Sequence, residues 1–514
     1  MIYETEGDNV FCINYNNNRD AEWLCRSKWR ARRYWVQERL NLQLSKTDFL
    51  QFLHCAKSLW LLRRKPTLYQ HGAFSDYLQK IVTEGYEVER YLKSLFSSQI
   101  DSDKYSYQTG FKTGDGLYAI ADCTRQNDDG SIDIYEVKSS TSVQRGSPQN
   151  QIKDASFQKI AAEGAGFTVA RVFIVHLNSQ YARNGVIDTD ELLVFADVTA
   201  EVSEMTEQTK REIASALSLL KSPNIDESSC SCLELTKSNH CDAFEYFNPS
   251  IPKPSIYNLP RISKIKLRNF VADGRFSLDD IALHEVTEKQ SHVLRSAHLK
   301  EPVVDHSIVS RWFSKLTYPV YFLDYETYAS ATPIINDARP HAPIPFQYSL
   351  HIKRSPNANN LEHVEYLADE AVMPIAMIEH MQKHIGDVGS IVSWHASFEN
   401  TQNRNMAVMF PAKHDFLHGL VERTVDLEDL FKEGYVDINF QGSTSIKKVL
   451  PVLVPELDYA GMDVASGTDA MEAWQRLISL PADRAKEDLR KSMLEYCELD
   501  TLAMVRIFEF MEKI

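Results

Sequence analysis

Two carboxylates and an ammonium stand at the ends of neighbouring apolar runs: Asp122 closes LYAIAD, and Glu136 and Lys138 lie at the close of IYEVKSS. Side chains alternate along a strand, so Glu136 and Lys138 share one face while Val137 turns to the core. The set suits phosphodiester hydrolysis. Two acids can bind Mg²⁺ or Mn²⁺, which polarises a phosphate and acidifies water, and a lysine can orient that water and stabilise developing charge. Downstream, Asp154 and Gln158 are four apart on one face of an expected helix, and upstream Glu89 is an additional candidate ligand. Acids and lysines at strand ends also form surface ion pairs that contribute little; Asp154 and Gln158 tip the reading toward a cleft.

A second acidic set is more widely spread. In YPVYFLDYET, Asp324 and Glu326 are two apart, hence on one face of an apolar strand, and a buried pair of that kind needs a cation. The segment GSIVSWHASFEN passes from strand into helix and brings Glu399, and the helix of SMLEYCELDTLAMVRIFEF places Tyr496 and Asp500 on one face. Four acids and a phenol from three elements make the composition of a two-metal site. Asp426 and Asp429 in DLEDLF read as acids stabilising a helix start and are left out. Gln347, Ser349 and His351 alternate on a strand beside the first and could contact substrate, though such residues more often edge a sheet. No glycine-rich loop of the nucleotide-hydrolase kind is present, so ATP use is not implied.

Eight cysteines in a chain expected to stay in the reducing cytoplasm do not form a disulfide framework, and three of them, Cys230, Cys232 and Cys241, fall in one short segment. That clustering suggests metal or iron–sulfur ligation; zinc competes for such thiolates, and unligated thiols are the ordinary alternative.

The elements that must position these residues follow from periodicity. Helical spacing begins at Leu44 with Phe49, Phe52, Leu53, Leu59, Trp60 and Leu61, and a second helix covers Tyr77 to Phe96. Strands are expected over Leu117 to Cys123 and Ile132 to Val137, joined by the turn Asp128, Asp129 and Gly130, then a helix from Ile152 to Ala162 and a strand from Arg171 to Leu177. A proline-rich linker from Asn248 to Pro260 and a helical connector to residue 316 lead to a second α/β domain, 317–514, opening on the strand Val320 to Leu323. Residues 1–43 are a polar extension. A chain of 514 residues can hold several such domains. It lacks the long apolar run of a membrane span or secretory leader, so a cytoplasmic protein without membrane contact is expected. The net charge of -15 opposes general adhesion to phosphate backbones, leaving local basic stretches, Arg26 to Arg33 and Arg63 to Lys65, and bound metal to attract nucleic acid.

Residues 44–247, through Asp122, Glu136, Lys138 and Gln158, resemble the RecB-like nucleases of the PD-(D/E)XK superfamily, including the CRISPR adaptation nucleases of that group. The resemblance implies a restriction-endonuclease-like fold, metal at Asp122 and Glu136, and action on DNA. It also implies a [4Fe–4S] cluster on Cys55, Cys230, Cys232 and Cys241. Residues 317–514 resemble the DnaQ-like exonucleases of the ribonuclease H-like fold, the DEDD group. There Asp324, Glu326, Glu399 and Asp500 would hold metal and Tyr496 would position water during 3′-to-5′ removal of nucleotides. Glu399 stands where that group has Asp, and His395 where Asn is common. FLDYET, PFQYSLH, GSTSIKKVLP and YCELDTLAMV carry a likeness to a bacterial fusion family in which the RecB-like domain precedes the DnaQ-like one. The expectation is therefore a metal-dependent nuclease with two sites, acting on DNA rather than RNA. The alternatives are an RNA 3′-to-5′ exonuclease and a catalytically weakened nucleic-acid-binding component of a defence or repair assembly.

Overall fold

The computed structural model describes residues 43–70, 76–146, 150–358, 360–459 and 461–514, so almost all of the polar extension, with Arg26 to Arg33, lies outside the described residues. The molecule is mixed α/β, with one large sheet in each half. In the first, the sheet runs β1 (Leu44–Ser45), β3 (Leu117–Gln126), β4 (Ile132–Val137), β5 (Val169–Leu177) and β6 (Leu193–Asp197), with β2 (Tyr105–Lys112) also paired to β3. All of β4 is buried, as its run of apolar residues requires of a strand covered on both faces.

The arrangement around β3 creates an opening. β1 pairs with Leu117 and Tyr118, and β4 pairs only from Cys123 to Gln126. Asp122 lies between these two stretches. The packing also changes there, since Ala119 and Ala121 belong to one core and Cys123 to another. β1 leads straight into α1 (Lys46–His54), whose start is fixed by a Ser45–Asp48 capping box. The helical pattern expected from Leu44 is thus a short strand followed by two helices: extended Cys55 (φ -156, ψ 105) ends α1 and begins α2 (Ala56–Arg64). α3 (Asp76–Ser97), α4 (Gln151–Gly164) and α5 (Thr199–Lys221) complete this half, with α4 packed between the sheet and α5.

The proline-rich stretch is packed down, with Ser255, Ile256 and Leu259 buried and the Asn258 amide donating to the Gln441 carbonyl at 2.7 Å. The connector is helical as expected, through α6 (Lys264–Ala272), α7 (Glu288–Leu299) and α8 (His306–Phe313), with the short β7 (Val303–Val304) between the last two. The second sheet then has the order β10 (Leu361–Leu367), β9 (Ile344–Lys353), β8 (Val320–Tyr328), β11 (Ser390–Ser393), β12 (Thr424–Asp426). β8, β9 and β10 are antiparallel in sequence, and β11 and β12 run parallel to β8. Pairing with β9 carries β8 on to Tyr328, so Asp324 and Glu326 lie within the strand. α9 (Ile375–His384), α10 (Ser397–Met409) and α11 (His414–Glu422) cover one region of this unit. β13 (Tyr435–Val436), α12 (Ile446–Leu453), α13 (Gly467–Ser479) and the long α14 (Arg484–Met511) follow, with α14 lying across β8 and β9.

The halves dock through the loop after β8. Arg183 and the 337–338 backbone exchange hydrogen bonds at 2.7 and 3.1 Å, the Lys80 ammonium donates to the Ala329 carbonyl at 2.7 Å, and His341 Nε2 meets the Ser139 carbonyl at 2.6 Å. No helix among the described residues is long and apolar enough to cross a membrane.

Candidate functional site

In the first half the opening beside β3 gathers charge of both signs. Glu136 ends β4 on the face toward α4, and two ammonium groups reach one of its oxygens, Lys138 and Lys46 each at 2.7 Å. Both also touch Asp154 of α4, Lys138 at 2.6 Å and Lys46 at 3.4 Å, while the Gln158 amide donates to the other Glu136 oxygen. Burial pushes Glu136 up, but Lys138 and Lys46 outweigh it and hold the carboxyl well below its usual range. Burial likewise works against the Lys138 charge, and Glu136 and Asp154 overcome it and raise its pKa, so it is a fixed cation.

Asp122 sits to one side. Its carboxylate accepts the Val137 backbone N–H at 2.8 Å, a donor set free where β4 parts from β3. Burial, then Glu136 and Glu89, push its pKa well up, and burial with Glu136 brings Glu89 up to about 7. Glu89, on α3, accepts from Gln108 of β2 at 2.9 Å. Asp122, Glu136, Lys138, Asp154, Gln158 and Glu89 therefore meet in one neighbourhood. Sequence reasoning missed Lys46, which lies ninety residues before Glu136 and opens a helix with no signal of its partner. With Glu136 engaged by two lysines, Asp122 and Glu89 are the carboxylates left facing the opening without an ion pair among the described residues.

In the second half Asp324, Glu326 and Asp500 bring carboxylate oxygens within 4.8 Å of one another. They line a cavity of about 250 Å³ together with Glu399, Tyr496, Lys447 and Trp394. β8 supplies the first two, α14 crosses above with Tyr496 and Asp500, and α10 presents Glu399 in its first turn. Burial and mutual repulsion raise Asp324 and Glu326 well above the carboxylate range; burial pushes Asp500 up to about 6 and Glu399 up to about 8. Three acids that close together carry a repulsion that a divalent cation would relieve, and Glu399 Oε2 beside them in the cavity is buried with no hydrogen-bond partner. The donor set, all oxygen, fits Mg²⁺ or Mn²⁺.

Two partners of Asp500 carry no individual signal in the sequence. Tyr459 donates to Asp500 Oδ1 at 2.7 Å, alongside Tyr496 on the same carboxylate. The Lys447 ammonium lies 5.3 and 5.7 Å over the rings of Tyr459 and Tyr496 and is anchored on the Ala465 carbonyl at 2.7 Å. Lys447 belongs to GSTSIKKVLP, a string that carries family likeness but no pattern of charge.

Asp426 is a correction to the helix-start expectation. It ends β12 instead of starting a helix, and its Oδ1 accepts the backbone N–H groups of His395 at 3.1 Å and Glu428 at 3.0 Å. His395 is left-handed (φ 59) at the sharp turn that launches α10, and His395 Nδ1 reaches Glu428 at 3.0 Å. Asn, Asp and His tolerate that conformation better than other residues, which accounts for the residue types suited to this position. Asp426 thereby holds the turn that aims Glu399. Asp426→Ala is expected to weaken Mn²⁺ binding by about 10-fold or more, while Asp426→Asn, which keeps the accepting oxygen, stays near wild type in titration calorimetry. Equal affinities for the alanine variant and the wild type would refute this role. Gln347, Ser349 and His351 do not edge the sheet either: β9 is internal, and all three are buried under α14.

The four cysteines Cys55, Cys230, Cys232 and Cys241 bring their sulfurs within 4.8 Å of one another, all buried, inside a small core of Trp60, Leu61, Tyr69 and Phe247. Hydrogen bonds within the tetrad hold the Cys55 thiol far below the usual range and push Cys232 and Cys241 up. This buried tetrad can hold metal, and it ties the α1–α2 break to the segment after α5.

Comparison with known proteins adds sequence likeness without a function. Residues 321–445 match a family model described as a domain of unknown function (DUF2779). Uncharacterized protein MG366 of Mycoplasma genitalium is 25% identical over 220 residues, which span 39% of this chain and 33% of that protein. Among solved structures, SSO0001 aligns with 33% of this chain and 75% of its own at 13% identity, with a TM-score of 0.22.

Proposed function

We propose that the chain is a metal-dependent nuclease with two hydrolytic sites, a DnaQ-like 3′-to-5′ exonuclease site of ribonuclease H-like fold in the second half and a RecB-like PD-(D/E)XK site in the first, acting on DNA. The observation that carries the reading is the convergence of Asp324, Glu326, Asp500, Glu399 and Tyr496, from three distant segments, around one cavity. Bound Mg²⁺ or Mn²⁺ would polarise the scissile phosphate and acidify the attacking water. The four carboxylates would hold the cations. Burial and the neighbouring acids keep the Tyr496 phenol protonated, so it donates to Asp500 and its oxygen can accept from and orient water without taking its proton. Lys447 supplies positive charge beside the carboxylates, where a phosphate would approach.

At the first site the chain's own residues suggest electrostatic stabilisation. Lys138, fixed between Glu136 and Asp154, presents a charge whose position is set before substrate arrives. Asp122 and Glu89 are the acids available to a cation there. The test is a gel of 5′-labelled and 3′-labelled DNA and RNA with Mg²⁺ or Mn²⁺. Shortening of DNA from its 3′ end supports the reading, shortening of RNA alone moves the substrate, and strands that are bound but never cut defeat hydrolysis.

For the thiol tetrad the proposal is a structural [4Fe–4S] cluster. The close approach of the four sulfurs equally suits a single tetrahedral zinc, the second reading. Anaerobic wild-type protein is expected to be brown and to contain iron, and Cys232→Ser to lose both together with several degrees of melting temperature. Colourless protein holding zinc alone would replace the cluster with zinc.

A further inference from the structure

On the face of the second sheet covered by α14, one strand and more beyond Asp324, a cluster of different chemistry is assembled. His351 of β9 and His363 of β10 are direct cross-strand partners, so their imidazoles stand on the same face, with ring centres 4.5 Å apart. α14 lowers Glu498 onto them, and the three side chains bring ligand atoms within 4.8 Å of one another. His363 Nδ1 lies 3.7 Å from Glu498 Oε1.

The surroundings of the two rings are what a ligand set needs. His351 Nδ1 meets the Thr501 hydroxyl at 2.8 Å, His363 Nε2 meets the Ser349 hydroxyl at 3.0 Å, and the two hydroxyls bond each other at 2.6 Å. One nitrogen of each ring is thus tied down by a coupled pair of hydroxyls, which fixes ring orientation and leaves His351 Nε2 and His363 Nδ1 as donors. A hydrogen bond on the far nitrogen is the usual support of a metal-binding imidazole. Solvent reaches the cluster from the side of Glu498, whose side chain is 44% exposed.

We propose that His351, His363 and Glu498 form a separate transition-metal site, suited to Zn²⁺, that clips the β9–β10 hairpin to α14. Two imidazoles and one carboxylate suit zinc and its neighbours and not Mg²⁺, which takes oxygen ligands, and three protein ligands leave a fourth position for water. The clip lies away from the cavity of Asp324 but acts on the same helix that carries Tyr496 and Asp500. It therefore fixes how that helix sits on the sheet, and its existence does not depend on nuclease activity.

The test uses the untagged full chain, stripped of loosely held metal and returned to Zn²⁺ with Mg²⁺ in excess. Wild type is expected to bind one more zinc per chain than His363→Gln or Glu498→Gln, with the metal of the thiol tetrad equal in all three. Zinc should raise the melting temperature of wild type by several degrees and leave both variants unmoved. Glu498→His, which restores a donor, should recover the zinc. Glu498→Gln is isosteric on a half-exposed position, so it serves even if the His363 variant folds poorly. Equal zinc content in wild type and Glu498→Gln, or an equal thermal shift, overturns the proposal.

Discussion

Asp324→Ala is expected to abolish Mg²⁺- or Mn²⁺-dependent shortening from 3′ ends, a fall of at least ~10³-fold, measured on labelled strands. All three acids of the close trio line the cavity, and Asp324 is the most exposed of them. Losing it removes one of the three carboxylates that meet within 4.8 Å. The same acids predict a stability signature. Burial raises the folded pKa of Asp500 to about 6, and burial with Asp426 nearby raises that of Glu399 to about 8. An acid whose folded pKa exceeds its unfolded value contributes stability that is full below the ordinary carboxylate range and is lost as pH rises through the folded value. In chelator the melting temperature should therefore fall between about pH 5 and about pH 8, and Mg²⁺ should restore it. Asp324→Asn, which removes one repelling charge, should flatten the fall. A chelated wild type that melts alike across that range, or an alanine variant that still shortens DNA, would contradict the site.

Lys138→Ala should remove a cleavage pattern distinct from 3′ shortening, by roughly 10²- to 10⁴-fold, and leave the shortening intact. The lysine bridges Glu136 and Asp154, and Glu136 is only 2% exposed, so the fold also depends on it. Breaking a buried pair commonly costs about 3–5 kcal/mol; Lys46 stays on Glu136, which places the expected loss at the lower end. The pH signature here is opposite in sign to that of the second site. Glu136 is depressed, so its contribution is present above the ordinary carboxylate range and disappears as pH falls below it. Circular-dichroism melts of wild type and Lys138→Ala at acid and neutral pH read this directly. Glu136→Gln separates charge from packing, since the amide fills the same space but leaves Lys46 and Lys138 with Asp154 alone as their shared anion. Should Lys138→Ala retain the full cleavage pattern while folding normally, the first site is no nuclease centre.

Much of this is legible in the order of residues alone. Asp324 with Glu326, Tyr496 with Asp500, and Glu136 with Lys138 announce themselves because strand and helix periods of about 2 and 3.6 residues decide which neighbours share a face. The bounds of β4 agree with expectation to the residue, since Ile132, Ile134, Tyr135 and Val137 favour a strand and polar turns flank it. The cysteine spacing points to three of the sulfurs, the resemblance adds Cys55, and those four meet. Lys46, Lys447 and Tyr459 escape because a lone lysine or tyrosine has no period; the partners of Lys46 and Tyr459 lie 90 and 41 residues away. Asp426 escapes for a related reason. DLEDLF reads as a helix start, but pairing with β11 draws Thr424–Asp426 into the sheet.

The sequence by itself determined the local grammar: which acids share a face, which runs are buried strands, where a helix is capped, and which thiols are candidates for one metal. Only the tertiary structure decided that Lys46 and Lys138 both close on Glu136, that Asp426 aims Glu399, and that His351, His363 and Glu498 converge under α14. The division has a physical cause. Periodicity acts over a few residues and is written into side-chain order, whereas the energy of a buried charge depends on which distant charge is delivered to it through space. That delivery is fixed by sheet order and helix packing, which the local pattern does not encode.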